Sequence, residues 1–163
     1  MVEYRDGYLP GCIGRIAELH AHYYSRLVGF GVSFESKVAR ELGDFCERYS
    51  AGRDGLWLVT QDGRIEGSIA IDGSHAATDG AHLRWFIVSD ALRGSGTGNA
   101  LLSNAMKFCD DRGYERVHLW TFRGLDAARH LYEKHGFHLA VEREGRQWGT
   151  EVFEQCFERS ARD

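Results

Sequence analysis

Leu92-Arg93-Gly94-Ser95-Gly96-Thr97-Gly98-Asn99 is the stretch on which the reading of this chain turns. Before it runs an apolar segment, Leu83 to Val88, with the composition of a buried strand. After it, Ala100, Leu101, Leu102, Ala105, Met106, Phe108 and Cys109 fall on one broad helical face. Three glycines therefore stand where a strand turns into a helix. Glycine admits positive φ and puts no side chain between backbone and ligand. The N–H groups of a helix's first turn lack intrahelical partners, and the helix dipole favours an anion there. The turn is suited to cradling phosphate; the plainer alternative is a flexible strand–helix connection.

Two phosphate loops can be excluded. The ATP/GTP loop needs Lys and Ser/Thr after its last glycine, and Asn99 and Ala100 stand there. The dinucleotide fingerprint needs a small residue where Asn99 or Leu101 stands, depending on register. Arg-x-x-Gly-x-Gly, from Arg93 to Gly98, does fit, with Arg93 as a phosphate counter-ion.

The 163 residues suit a single domain spanning 1–163 with a sizeable core. A hydrophobic fraction of 43% and a charged fraction of 27% are ordinary for a globular protein. The net charge of −4 gives no case for nucleic acid. No apolar run reaches membrane-spanning length and no signal-peptide pattern opens the chain, so a cytoplasmic protein without a membrane partner is expected. Cys12, Cys46, Cys109 and Cys156 are scattered, which suggests reduced buried thiols and no metal.

The pattern along the chain predicts a short strand within Met1–Leu9 and helices over Cys12–Val28 and from a Ser33 or Ser36 N-cap to Tyr49. A hairpin follows, Leu56–Val59 and Ile65–Ile71 about Gln61-Asp62-Gly63. Then come a strand Ala81–Val88, the glycine turn, a helix Asn99–Arg112, and a strand Val117–Phe122. A helix Asp126–His135 and strands Phe137–Val141 and Glu151–Phe157 complete the chain. Strand, turn, helix, strand is a βαβ unit whose strands should be parallel. The fold class is α/β, a mixed and mostly antiparallel sheet with one parallel pair and about four helices. His20 and His22 lie two apart on a helix, without metal spacing, and read as ordinary surface or groove residues.

The residues carry a resemblance. Arg93-Gly94-Ser95-Gly96-Thr97-Gly98 after a strand, a second strand, and Tyr132-Glu133-Lys134-His135-Gly136-Phe137 after that resemble the GCN5-related N-acetyltransferase (GNAT) superfamily. Longer stretches, Tyr23–Glu35, Leu83–Leu102, Leu119–Phe137 and Trp148-Gly149, resemble the acetyltransferase half of bacterial MarR–GNAT fusion proteins. The resemblance implies acetyl-CoA as donor and a small-molecule or peptide amine as acceptor, with a homodimer possible. It implies that the backbone of Gly94, Ser95, Gly96, Thr97 and Gly98, with Arg93, binds pyrophosphate. The splayed strand end, Phe86, Ile87 and Val88, would pair with pantetheine, and Tyr132 would stand near the CoA sulfur. The family often has Asn where Leu125 stands, near Ala128, at the cofactor edge. A CoA-binding module without turnover is the competing class, since fold does not fix function.

Amide formation from a thioester needs alignment, a polarised carbonyl, a neutral amine and a protonated leaving thiol. Tyr132 is the candidate acid. Strand alternation places His82, Arg84, Phe86 and Val88 on one face, making His82 a candidate base about 13 Å from the thioester. Glu35, at the start of the second helix, is the rival base, with helix-dipole stabilisation as its simpler role. Glu35, Glu41, Asp44, Glu66 and Asp72 are candidates for an acidic acceptor groove.

Overall fold

The computed structural model describes residues 1–161. In chain order the elements are β1 (Val2–Asp6), α1 (Cys12–Val28), α2 (Val32–Glu47), β2 (Gly55–Gln61), β3 (Arg64–Asp72), β4 (Ala81–Val88), α3 (Thr97–Asp111), β5 (Arg116–Phe122), α4 (Asp126–Lys134), β6 (His138–Gly145) and β7 (Val152–Ser160). The seven strands form one sheet in the order β1-β2-β3-β4-β5-β7-β6. Every neighbouring pair is antiparallel except β4 and β5, as the βαβ reading requires.

The hairpin β2–β3 closes through Asp62 and Gly63, both at positive φ (52° and 81°). That is the backbone a two-residue turn adopts to match strand twist. The predicted Ser33 or Ser36 cap of α2 is corrected. The helix starts at Val32, and the Gly31 carbonyl accepts from the N–H groups of Phe34 and Glu35 at 3.1 Å. A serine side chain was unnecessary once the turn after Phe30 delivered that carbonyl.

Two apolar layers cover the two sheet faces. On one, Leu101, Leu102, Ala105, Met106 and Cys109 of α3 pack with Ile69, Ile71, Leu83 and Leu119, and Tyr132 of α4 joins them. On the other, Ile16 and Ala17 of α1 and Phe34, Val38, Leu42 and Phe45 of α2 pack with Leu56, Leu58, Ala70 and Trp85. At about 25 cal/mol per Å² of buried apolar surface, these layers supply the main drive to fold.

The register also shifts at Val59/Thr60 and at Leu139/Val141, but the two irregularities that shape the site are both on β4. First, Ser68 pairs with Ile87 and Ala70 with Arg84, so Ile69 faces both Trp85 and Phe86. This is a β-bulge, and Trp85 takes φ 47° within it. A bulky residue there costs roughly 1–3 kcal/mol. The bulge is held by the Ser68 hydroxyl, which donates to the Trp85 carbonyl at 2.7 Å, and by the Trp85 ring, which packs 5.5 Å from Phe45. Second, β4 and β5 pair only at Ala81–Val117 and His82–His118 and then separate.

Candidate active site

The separation of β4 from β5 creates the site. Beyond His82, the β5-facing edge of β4 has no ladder partner among the described residues. A cleft of about 130 Å³ lies between the strands, with α1, α2 and the β6–β7 connection around it. Phe86 and Tyr132 both line it, with ring centroids 6.0 Å apart.

The glycine turn closes one end of β4. Gly94 and Gly96 sit at φ 81° and 84°, which an L side chain rarely adopts. A Cβ at either would meet no atom within 4 Å, so both face open space. Gly96 is the N-cap of α3, and no side chain caps that helix. The first-turn N–H groups are thus left for a ligand. The Ser95 hydroxyl is occupied within the turn, donating to the Leu92 carbonyl and lying 2.7 Å from the Thr97 hydroxyl. At Gly98 a Cβ would stand 3.6 Å from both Phe86 and Leu131, so the helix start lies tight against β4 and α4. An open backbone edge leading to an uncapped helix start is the shape that a strand-like arm ending in a pyrophosphate requires. The residues present fit CoA on that observation.

Arg93 is placed less simply. Its guanidinium donates to the Val88 carbonyl at 3.0 Å, pairs with Asp90 at 2.6 Å and lies 4.7 Å over the Tyr23 ring. It belongs to the strand end and α1 as much as to the turn, and a phosphate must compete with Asp90 for it. Leu125 is the N-cap residue of α4 and packs into the α1/α2-side core, while Ala128 packs toward α3. Neither lines the cleft.

Tyr132 is 7% exposed, with its ring about 6 Å from those of Phe86, Phe137 and Phe157. Burial, and secondarily Tyr24, pushes its phenol well above the usual range, so it holds its proton at any working pH.

The structure separates the two candidate bases. His82 lines the cleft and stacks on His118, ring centroids 4.5 Å apart. Burial, helped by the positive charge of Arg84, pulls its pKa down to about 3. It is therefore neutral at pH 7 and a weak base. Glu35 lies on the exposed side of α2 and does not line the cleft.

Two further expectations are corrected. The bulge at Trp85 breaks the alternation, so His82 and Arg84 do not share a face with Phe86 and Val88. Arg84 bonds to Glu41 of α2, whereas Phe86 and Val88 pack toward α3. The acidic groove is also absent, because none of Glu35, Glu41, Asp44, Glu66 and Asp72 lines the cleft. Glu66 is paired with Arg15 and accepts from Ser89, Asp72 is held by Arg48, and Glu41 accepts from both Lys37 and Arg84.

Sequence reading missed most of the cleft's wall on the α1 and α2 side: Tyr24, Phe30, Phe34, Lys37, Arg84 and Trp148 all line the cleft. The density of aromatic residues over positions 23–34 was the available signal. His20, read as a surface or groove residue, is 6% exposed, and its Nδ1 lies 2.8 Å from the Ile16 carbonyl. Burial lowers its pKa to about 4.

A mostly antiparallel sheet split at one parallel pair, with a left-handed glycine turn at the split, defines an acetyltransferase architecture. The model of the Acetyltransferase (GNAT) family matches residues 15–137, and the chain belongs to that family. Its fold is also that of solved structures. One is an acetyltransferase from Streptococcus agalactiae (16% identical, 98% of each chain covered, TM-score 0.75). Another is the ribosomal-protein-S18-alanine N-acetyltransferase from Escherichia coli (18%, 98% of this chain and 94% of that one, TM-score 0.69). A third, from Salmonella typhimurium, was solved with its cofactor acetyl-CoA (16%, 98% and 93%, TM-score 0.73). At these identities the likeness establishes the fold. No curated protein matches the chain. Among the described residues no helix is long and apolar enough to cross a membrane.

Proposed function

We propose that this protein is an N-acetyltransferase that moves an acetyl group from acetyl-CoA directly to an amine. The observation that carries the reading is the unpaired β4 edge running from the cleft, where Phe86 and Tyr132 meet, to the uncapped start of α3. Acetyl-CoA, when bound, supplies the activated thioester. The chain's contribution begins with position: the β4 edge and the glycine turn fix the donor, and the walls of α1 and α2 fix the acceptor, which can supply much of the rate. A backbone N–H of the Phe86–Ile87 stretch offers its hydrogen bond to the thioester carbonyl, and such a donor is worth most in a dry cleft.

Tyr132 serves the departing sulfur. Its raised pKa keeps the phenol protonated and also opposes complete proton transfer, so its first contribution is a hydrogen bond to sulfur as charge develops. With His82 neutral and weakly basic and Glu35 outside the cleft, the reading favours an amine that loses its proton to water before attack. A cytoplasmic setting belongs to the same reading, supported by four cysteines that are all free thiols.

The test joins binding to turnover. CoA and acetyl-CoA are expected to raise the melting temperature while ATP and NAD do not, and an amine panel with acetyl-CoA is expected to yield an acetylated product with release of free thiol. CoA binding without product from a broad panel would instead identify a binding module.

A further inference from the structure

The charges around the cleft point to a class of acceptor. This inference rests on the N-acetyltransferase reading and names the amine that reading leaves open. Among the described residues no Asp or Glu lines the cleft, while Lys37 of α2 and Arg84 of β4 both do. One carboxylate serves these two cations from behind: Glu41 accepts from Lys37 at 2.7 Å and from Arg84. One positive charge is therefore left over at the wall. Nothing else facing the cleft cancels it. His20 is buried and His82 half-buried, and both are neutral; the charges of Arg84 and Lys37 act to depress His82, while Asp72, itself held by Arg48, acts the other way. Arg84 is fixed in place, its guanidinium 4.3 Å over the Trp85 ring, and its side chain is 21% exposed.

Next to these cations the wall is aromatic. Tyr24, Phe30, Phe34 and Trp148 form one contiguous cluster, with the Phe30 ring 6.1, 5.0 and 6.2 Å from the other three. An acceptor that is only a cation, such as a polyamine, meets surplus positive charge here and no carboxylate. An amine that also carries a carboxylate reverses that balance.

We propose that the acceptor is a small amine bearing a carboxylate and an apolar body, its carboxylate received by Arg84 and Lys37 and its body by the Tyr24, Phe30, Phe34 and Trp148 rings. The amine nitrogen, having given its first proton to water, attacks the thioester carbon. A C–N bond forms, the C–S bond breaks, and the second amine proton leaves as the sulfur gains one, giving an N-acetyl amino acid and CoA thiol.

The experiment measures binding and product separately. Calorimetry with and without CoA compares L-phenylalanine, L-leucine and 4-aminobenzoate with phenylalanine amide and spermidine. The carboxylate-bearing amines are expected to bind about tenfold or more tightly than the amide and the polyamine, the range of a charge-assisted hydrogen bond. Preference between phenylalanine and 4-aminobenzoate tells an alkyl from an aryl amine. Arg84→Gln and Lys37→Gln are each expected to remove most of the acid-over-amide ratio while affinity for the amide changes little. Equal or tighter binding of amide or spermidine overturns the proposal. So does failure of every carboxylate to bind, or a ratio kept in both variants at wild-type melting temperature. Carboxylate preference with no acetylated product overturns the enzyme reading instead and leaves the ligand assignment standing.

Discussion

Removing one oxygen atom from Tyr132 separates a chemical role from a packing role. The ring is enclosed by Phe86, Phe137 and Phe157, the residue lines the cleft, and its hydroxyl has no hydrogen-bond partner among the described residues. Tyr132→Phe therefore keeps every ring contact and forfeits no internal hydrogen bond. Its effect on stability should stay within about 0.5 kcal/mol, or roughly 1–2 °C in Tm for a chain of this size. Catalysis should respond differently. A positioned acid contributes about 10²-fold or more, so kcat should fall by about 10², a barrier increase of about 2.7 kcal/mol. Affinity for acetyl-CoA, measured by calorimetry, should be nearly kept. Because burial pushes the phenol well above its ordinary pKa, wild-type kcat should show no alkaline limb from this group in the usual assay range. Thiol release with an active amine supplies the rate, and thermal unfolding supplies the control. A wild-type kcat in Tyr132→Phe refutes the role. A large fall in Tm shows instead that the hydroxyl supports structure, against the geometry.

Gly96→Val is expected to abolish CoA binding by calorimetry, because a branched residue resists φ 84° and its side chain enters the space before the α3 N–H groups; retained affinity would sink the cradle. Acid should destabilise the fold through His20 and His82. Their folded pKa values, about 4 and about 3, lie below the unfolded 6.5, so their stabilisation is complete above pH 6.5 and is lost as pH falls toward those values. Each should cost on the order of 2 kcal/mol by pH 4.5, and Tm measured against pH should decline less steeply in His82→Asn than in wild type. Trp85→Ala should cost about 3 kcal/mol or more in denaturant unfolding, because it removes an aromatic side chain that is 8% exposed and stacked under Arg84; near-neutral stability would mean that relief of the φ 47° strain outweighs the lost packing.

The architecture was legible wherever local chemistry determines structure. Asp62-Gly63 marks a two-residue hairpin because few other pairs accept positive φ twice. The apolar spacing of Ile16 and Ala17, then Phe34, Val38, Leu42 and Phe45, marks helices with one buried face. The glycine turn was legible because strand-to-helix geometry there demands left-handed residues, and Gly94 and Gly96 supply them. The lining of the cleft on the α1 and α2 side was not legible, because it depends on which face each side chain reaches across elements far apart in sequence. Glu41 reads as a candidate groove acid until Lys37 and Arg84 are seen to consume it. His20 reads as a surface or groove residue, and it lines the cleft with Tyr24 and Phe34 closing over it.

One residue accounts for much of that difference. An unbroken β4 would place His82, Arg84, Phe86 and Val88 together, with Arg84 on the same face as Phe86. That face packs against α3 and α4, where Leu101, Leu102 and Tyr132 offer an arginine no carboxylate. Burying an unpaired guanidinium there would cost several kcal/mol. The extra residue at Trp85 shifts the phase by one, so Arg84 reaches Glu41 under α2 while Phe86 and Val88 turn toward α3. The same kink lies within the stretch where β4 has left β5, so the backbone there faces the cleft rather than a partner strand. The bulge at Trp85 thus places the Arg84 charge and the Phe86 ring on opposite faces of a single strand, which under the proposed function are the sides of amine and thioester.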